Sequence, residues 1–132
     1  MNAGLKYIIV DDDPLNNTIY SIIIKTALGE VDIKTFTHPE DGLEFIQNKY
    51  VQSHTVLFLD LNMPTLTGWE FLEEYGKFNE ELKKQIHIYL LTSSIDQRDK
   101  DKAKDNIYVK GFISKPLDSK TITSIAEKEF YD

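Results

Sequence analysis

The chain has 132 residues, of which 41% are hydrophobic and 28% charged, so one globular domain spanning residues 1–132 is expected. A net charge of −7 without any basic run argues against nucleic-acid binding, and no apolar run approaches the about 18 residues of a membrane span. The absence of cysteine excludes disulfides and thiolate metal sites, and it fits a reducing compartment such as the cytoplasm.

Five short apolar runs predict strands, and most of them are rich in isoleucine, valine, leucine and aromatic residues, as strands buried on both faces tend to be. In chain order they are Tyr7–Val10, Val31–Phe36, Thr55–Leu59, Ile86–Leu91 and Tyr108–Ile113. A segment with helical features follows each strand, and this alternation predicts a parallel sheet with helices on both faces.

The first helix has the fullest set of sequence signals. Asp13 predicts its N-cap, Pro14 its first position and Leu28–Gly29 its end. Its apolar residues at helical spacing, predicted to share one face, are Leu15, Ile19, Ile22, Ile23 and Ala27.

The later helices follow the same logic, with one exception. Pro39 is predicted to begin the second helix, and Asp118 or Ser119 to cap the fifth. The apolar residues of the second helix are Leu43 and Ile46. Those of the third are Phe71, Leu72, Tyr75 and Phe78, and those of the fifth are Ile122, Ile125, Ala126 and Phe130. The exception is the fourth segment, Asp96–Asn106, whose one apolar residue is Ala103, so a short and weakly held helix is expected there.

The residues that follow the strands carry the functional signal, because ligands bind beyond the carboxyl ends of an open parallel sheet. The first strand runs into the aspartates 11–13 and the third into Asp60. The fourth runs into Thr92, and the fifth leads to Lys115 before a proline. Each feature alone is common in caps and turns, whereas the four in this order are far more specific.

The motifs VDDDP, LDLNMPTLTGWEF, LLTSS and GFISKP resemble those of receiver domains of two-component signalling, of the chemotaxis-response-regulator type. The resemblance covers essentially the whole chain. It implies a flavodoxin-like (βα)5 fold, a doubly wound three-layer sandwich around a five-stranded parallel sheet of order 2-1-3-4-5. The chain ends soon after the fifth helix, so a stand-alone response regulator is expected.

The resemblance also implies a chemistry for the acidic residues. Asp60 would accept a phosphoryl group from a sensor histidine kinase, a histidine phosphotransfer protein or a small donor such as acetyl phosphate. Mg²⁺, with Mn²⁺ as an alternative, would be held by Asp11, Asp12, Asp60 and the backbone carbonyl of Asn62. Asp13 matches no ligand position of the family and is expected only to cap the first helix.

By the same resemblance, Lys115 and Thr92 would contact the phosphoryl oxygens. Thr92 and Phe112 would form the switch, in which the hydroxyl moves toward the phosphoryl group and the aromatic ring turns inward. Many members carry tyrosine at the position of Phe112, and phenylalanine lacks its hydroxyl contact. Asn62 and Ser94 occupy positions that tune the phosphoryl lifetime in the family.

The expected partners are proteins. A downstream target would bind the surface of the fourth helix, fifth strand and fifth helix, and the sequence leaves the oligomeric state open, including a homodimer. The phosphoryl acceptor would not be a multiple-turnover enzyme. Because few apolar residues anchor the fourth helix, it could either be a switching element or a solvated helix.

Three alternatives come from other classes of protein. A haloacid-dehalogenase-like Mg²⁺ phosphatase would use Asp11 and Asp13 as its D-x-D pair, but Leu15 stands where threonine or valine belongs. A receiver-like interaction module would never carry phosphate. A helical phosphotransfer protein would need an exposed acceptor histidine on a helix, whereas surface or packing roles are expected for His38, His54 and His87.

Overall fold

The alternation of strands and helices read from the sequence is present in the computed structural model, which describes residues 5–48, 54–93 and 96–131. The strands are β1 (Lys6–Val10), β2 (Asp32–Phe36), β3 (Thr55–Asp60), β4 (Ile86–Thr92) and β5 (Val109–Ser114). The helices are α1 (Pro14–Leu28), α2 (Pro39–Asn48), α3 (Gly68–Tyr75), α4 (Glu80–Lys83), α5 (Gln97–Asp105) and α6 (Ser119–Tyr131).

The five strands form one parallel sheet in the order β2-β1-β3-β4-β5, which confirms the predicted topology. The strand order reverses between β1 and β3. Asp60 is the last residue of β3 and pairs with Leu91, while Thr92 ends the neighbouring strand β4. The register therefore brings the carboxyl ends of β1, β3 and β4 together at one edge.

Burial follows from position in the sheet. Every residue of β3 and β4 is buried, because these central strands are covered on both faces, as their continuous apolar runs predict. One core cluster includes Ile46 of α2, Phe71 of α3 and Ala103 of α5. The second, on the opposite face, includes Ile24 of α1 and Ile122 of α6.

The rotation of α1 corrects the sequence analysis. Three residues of its predicted apolar face are exposed, namely Leu15 (63%), Ile19 (41%) and Ile22 (59%). The buried residues are Asn17, Tyr20 and Ile24, while Ile23 and Ala27 are partly buried against the same core. The Asn17 amide donates to the backbone oxygen of Asp11, and this bond helps turn the polar residue inward. Asp13 caps the helix as predicted, since its carboxylate accepts from the backbone nitrogen of Leu15.

The one-turn helix α4, capped by Asn79, was not predicted, so the predicted fourth and fifth helices are α5 and α6. The polar segment forms α5, whose residues are all described and of which Ala103 alone is buried. The Lys102 ammonium lies 4.7 Å from the centre of the Trp69 ring of α3. Helix α5 is thus held by few apolar contacts, as expected.

Candidate functional site

Three carboxylates meet at the edge of the sheet where β1 and β3 end. Asp11, Asp12 and Asp60 each offer an oxygen, and these oxygens lie within 4.8 Å of one another. Asp11 and Asp60 are buried, at 0% and 3% exposure, whereas Asp12 is exposed. The buried strand β3 is thus a rigid support for the carboxylate at its end.

Lys115 lies between the two buried acids. Its ammonium is 3.2 Å from Asp11 Oδ2 and 3.2 Å from Asp60 Oδ1. Its backbone nitrogen donates to the carbonyl oxygen of Thr92 at 2.8 Å, which ties the loop after β5 to the end of β4. The lysine therefore supplies a positive charge within the acidic cluster.

The electrostatics of the cluster show that one lysine does not neutralise it. Burial and the neighbouring Asp11 raise the pKa of Asp60 to about 6, although Lys115 opposes the shift. Burial lowers the pKa of Lys115, but Asp60 and Asp11 outweigh that effect and raise it. Two carboxylates about 4 Å apart repel by roughly 4 kcal/mol at an effective dielectric constant near 20. The oxygen-only set of donors and its excess negative charge suit a hard divalent cation.

The loop that carries Asp11 is held by the start of α1. The backbone nitrogen of Asp13 donates to Asp11 Oδ1 at 2.9 Å, and the Asn16 amide donates to Oδ2 at 3.3 Å. The Asn17 amide donates to the backbone oxygens of Asp11 at 3.0 Å and of Phe36 at 3.4 Å. The sequence analysis missed both asparagines, although two amides directly after a DDDP motif were an available signal.

Asn62 connects the remaining predicted residues. Its backbone nitrogen donates to Asp60 Oδ1 at 3.3 Å, and its amide donates to Thr92 Oγ1 at 3.3 Å. Thr92 is fully buried. Phe112 lies on β5 and is half-buried between two surface grooves, so it is not one of the groups gathered around Asp60. Ser94 lies outside the described residues.

Gly68 begins α3 in direct contact with the backbone that follows Asp60. An added Cβ would lie 2.9 Å from the Leu61 Cα and 3.0 Å from the Asp60 carbonyl oxygen. The Gly68 backbone nitrogen donates to the Leu61 carbonyl at 2.9 Å. Only glycine allows this approach without a shift of the backbone, so Gly68 positions the site without taking part in its chemistry.

Residues 7–127 match the family model of the response regulator receiver domain, and the chain belongs to this family. It is 30% identical over 127 residues to hybrid signal transduction histidine kinase L of Dictyostelium discoideum. That match covers 93% of this chain but only 7% of the length of the relative. Receiver domains belong to two-component signalling, take phosphoryl groups from histidine kinases and are generally switches rather than multiple-turnover enzymes.

Solved structures show the same fold. The chain is similar to a response regulator receiver protein from Dyadobacter fermentans, with a TM-score of 0.87, 24% identity, and coverage of 96% of this chain and 98% of that chain. It is also similar to the chemotaxis protein CheY4 of Vibrio cholerae, with a TM-score of 0.77, 23% identity, and coverage of 96% and 99%. No helix in the described part of the chain has the length and apolar character needed to span a membrane.

Proposed function

We propose that residues 1–132 act as one receiver domain that accepts a phosphoryl group on Asp60 from a histidine kinase or a phosphotransfer protein. The observation that carries this proposal is the joint contact of Lys115 with Asp11 and Asp60, each at 3.2 Å, beside the exposed carboxylate of Asp12. Phosphoryl transfer depends on positioning and charge neutralisation, and this cluster supplies both.

In the transfer step, an Asp60 carboxylate oxygen attacks the phosphorus of a phosphohistidine. The new O–P bond makes an acyl phosphate as the P–N bond breaks, and the electron pair of that bond stays on the imidazole of the donor. Lys115, already 3.2 Å from Asp60, binds a phosphoryl oxygen as a point charge. Thr92, on the adjacent strand, donates its hydroxyl to another oxygen.

Asp11, Asp12 and Asp60, with the backbone carbonyl of Asn62, would hold Mg²⁺ or Mn²⁺. The fit rests on the donor set, which consists of oxygens on three clustered carboxylates with more negative charge than Lys115 offsets. The bound ion would neutralise negative charge on the oxygens of the transferring phosphoryl group.

The phosphoryl donor must cover the edge of the sheet around Asp60 to bring its phosphorus within reach. Helix α1 begins directly beside that edge, and it exposes Leu15 and Ile19 one turn apart. An apolar pair of this kind is typical of the centre of a docking surface. We therefore assign these side chains to the contact with the donor protein.

The output would pass through the surface of α5, β5 and α6. Phe112 lines a groove of about 500 Å³ on the α5 side and another of about 360 Å³ on the α6 side, so its ring has space to move. Lys100, Lys104 and Lys110 line the first groove and give it a basic character. A downstream target protein would bind here when Thr92 and Phe112 change position.

Intact-mass analysis with acetyl phosphate and Mg²⁺ tests the proposal. The wild type should gain one labile phosphoryl group, and Asp60→Asn should gain none. Asp13→Asn is the matched control, because Asp13 is an exposed acid beside the site whose carboxylate caps α1. Phosphoryl addition that persists in Asp60→Asn would identify a different acceptor, and no addition to the wild type would favour the interaction module that never carries phosphate.

The phosphatase alternative gains no support. Its D-x-D pair would require Asp13 beside Asp11 in the cluster, but the Asp13 carboxylate accepts a hydrogen bond from the Leu15 backbone at 2.9 Å. Sustained hydrolysis of a phosphate monoester by the purified protein would nevertheless support the phosphatase alternative.

A further inference from the structure

A second group of polar side chains lies at the opposite end of the sheet from Asp60. His54 directly precedes β3, while His87 and Tyr89 are the second and fourth residues of β4. Glu129 belongs to the last turns of α6. The group thus joins the sheet to the final helix, and neither the family resemblance nor the proposed phosphoryl chemistry uses it.

The Glu129 carboxylate is at the centre of this group. Its side chain has no exposed surface, and a buried carboxylate is costly unless other groups compensate it. The Tyr89 hydroxyl donates to Glu129 Oε2, and His87 Nδ1 lies 3.2 Å from Oε1. Two residues of β4 therefore hold one residue of α6 across the core.

The two imidazoles meet nitrogen to nitrogen. His54 Nδ1 lies 3.1 Å from His87 Nε2, and the ring planes differ by 22°. The ring centres are 5.3 Å apart, which is nearly the nitrogen separation plus the two distances from ring centre to nitrogen. The nitrogens therefore face each other head-on, as in a hydrogen bond. A metal ion about 2.0–2.1 Å from each nitrogen would have to lie to one side of the line between them, and neither ring nitrogen points there.

This geometry limits the number of protons that the pair can hold. A head-on N–H···N contact needs one donor and one acceptor, so a single proton lies between the two rings. If both rings are fully protonated, two N–H donors face each other and the contact breaks. His54 is exposed and His87 is nearly buried, so His54 is the ring that exchanges protons with solvent.

The charged groups around His87 have opposite effects on its protonation. Glu129 favours an imidazolium at His87, whereas nearby lysines oppose it. A cavity of about 160 Å³ beside His87 is lined also by Tyr75, Lys83, Lys84, Ile86, Ile107, Tyr108 and Lys110. From β1, Tyr7 packs into the same core cluster as Tyr89, and burial raises the pKa of Tyr7 to about 12, so it stays neutral. On α6, the adjacent Lys128 is exposed.

We propose that His54, His87, Glu129 and Tyr89 form a proton-dependent clasp that fastens α6 to the sheet and loosens when both imidazoles are protonated in mildly acidic solution. The clasp also reaches β5, because an added Cβ at Gly111 would lie 2.8 Å from the Tyr89 ring. An effect on Phe112, the next residue, rests on the proposed output surface, whereas the clasp itself does not.

NMR titration of the full chain from pH 8 to pH 5 tests the clasp. We expect backbone amides near Glu129 to shift with the same midpoint as His54, and this response to disappear in His54→Asn. His38→Asn is the matched control, because His38 is the one histidine of the sequence outside the group and is exposed beside α2. Amides of α6 that stay constant while His54 titrates would overturn the proposal.

Urea unfolding at the same pH values gives a second readout. The unfolded state binds one more proton than the folded state with the clasp closed. Acid should therefore lower the stability of the wild type more than that of His54→Asn. The ratio of their unfolding constants should change by up to about tenfold per pH unit in the acidic part of this range. Equal pH dependence of the two proteins would refute the clasp. Because His54 is exposed, its replacement should leave the fold intact.

Discussion

Replacing Asp60 with asparagine should stabilise the protein in the absence of divalent cations. The folded state holds this carboxylate at 3% exposure beside Asp11, and its pKa is raised from 3.8 to about 6. A shift of about two units, at about 1.4 kcal/mol per unit, corresponds to roughly 3 kcal/mol against the ionised form. Asparagine has nearly the same shape without the charge, and Lys115 keeps Asp11 as its partner.

The sign of the pH dependence follows from the raised pKa. Folding favours the protonated acid, so the penalty is absent below pH 3.8, grows between about pH 4 and 6, and is complete above about pH 6. The advantage of Asp60→Asn should therefore be largest near pH 7.5. It should shrink as the pH falls toward 4.

Urea unfolding in EDTA, followed by circular dichroism between pH 4 and pH 7.5, measures this difference. Asp12→Asn is the matched control, because the same substitution at an exposed member of the cluster should produce a smaller gain. If Asp60→Asn is no more stable than the wild type at pH 7.5, or if the difference is constant with pH, the cluster does not penalise the buried charge and the reasoning fails.

Three further predictions concern the metal, the donor and the backbone of the site. Mg²⁺ at ten times its dissociation constant should raise the melting temperature of the wild type by about 3–6 °C, and a similar gain in Asp12→Asn would contradict the assigned ligand. Leu15→Asp should lower the rate of phosphorylation by a protein donor about tenfold, while the rate with acetyl phosphate stays the same. Time-resolved intact-mass analysis measures both rates, and an unchanged ratio of the two would place the docking surface elsewhere. Gly68→Ala should lower the free energy of unfolding by about 1–3 kcal/mol because its Cβ meets the Leu61 backbone, whereas Gly76→Ala, with nearest contacts of 3.3–3.4 Å, should cost less in the same urea unfolding assay.

The strands were predictable because the central strands are apolar without interruption, and few other elements have that pattern. Their order was predicted only from the resemblance to receiver domains, since the apolar runs do not determine which strands are neighbours. The gathering of Asp11, Asp60 and Lys115 was predictable for a related reason. Parallel strands all end at the same edge, so residues distant in sequence meet wherever each follows its strand. The sequence therefore predicted the place of the site better than its internal contacts.

The rotation of α1 was not predictable from periodicity. The helix has apolar residues on more than one face, and the choice between them depends on a hydrogen bond from Asn17 to the Asp11 backbone and on the fit of Tyr20. The contact between His87 and Glu129 was not predictable either, because the local sequence around each residue gives no indication of a partner on a distant element. Such pairings arise from tertiary packing alone.

The position of Lys115 has a consequence for how a signal leaves this domain. Three carboxylates and one lysine leave two unbalanced negative charges, which equals the charge of one divalent cation. A phosphoryl group would add only about 0.5 to 1 further negative charge, since it brings −1.5 to −2 and replaces the −1 of Asp60. The net field seen from a distance would therefore change little through the cycle. A partner would have to recognise rearranged side chains rather than an altered long-range potential.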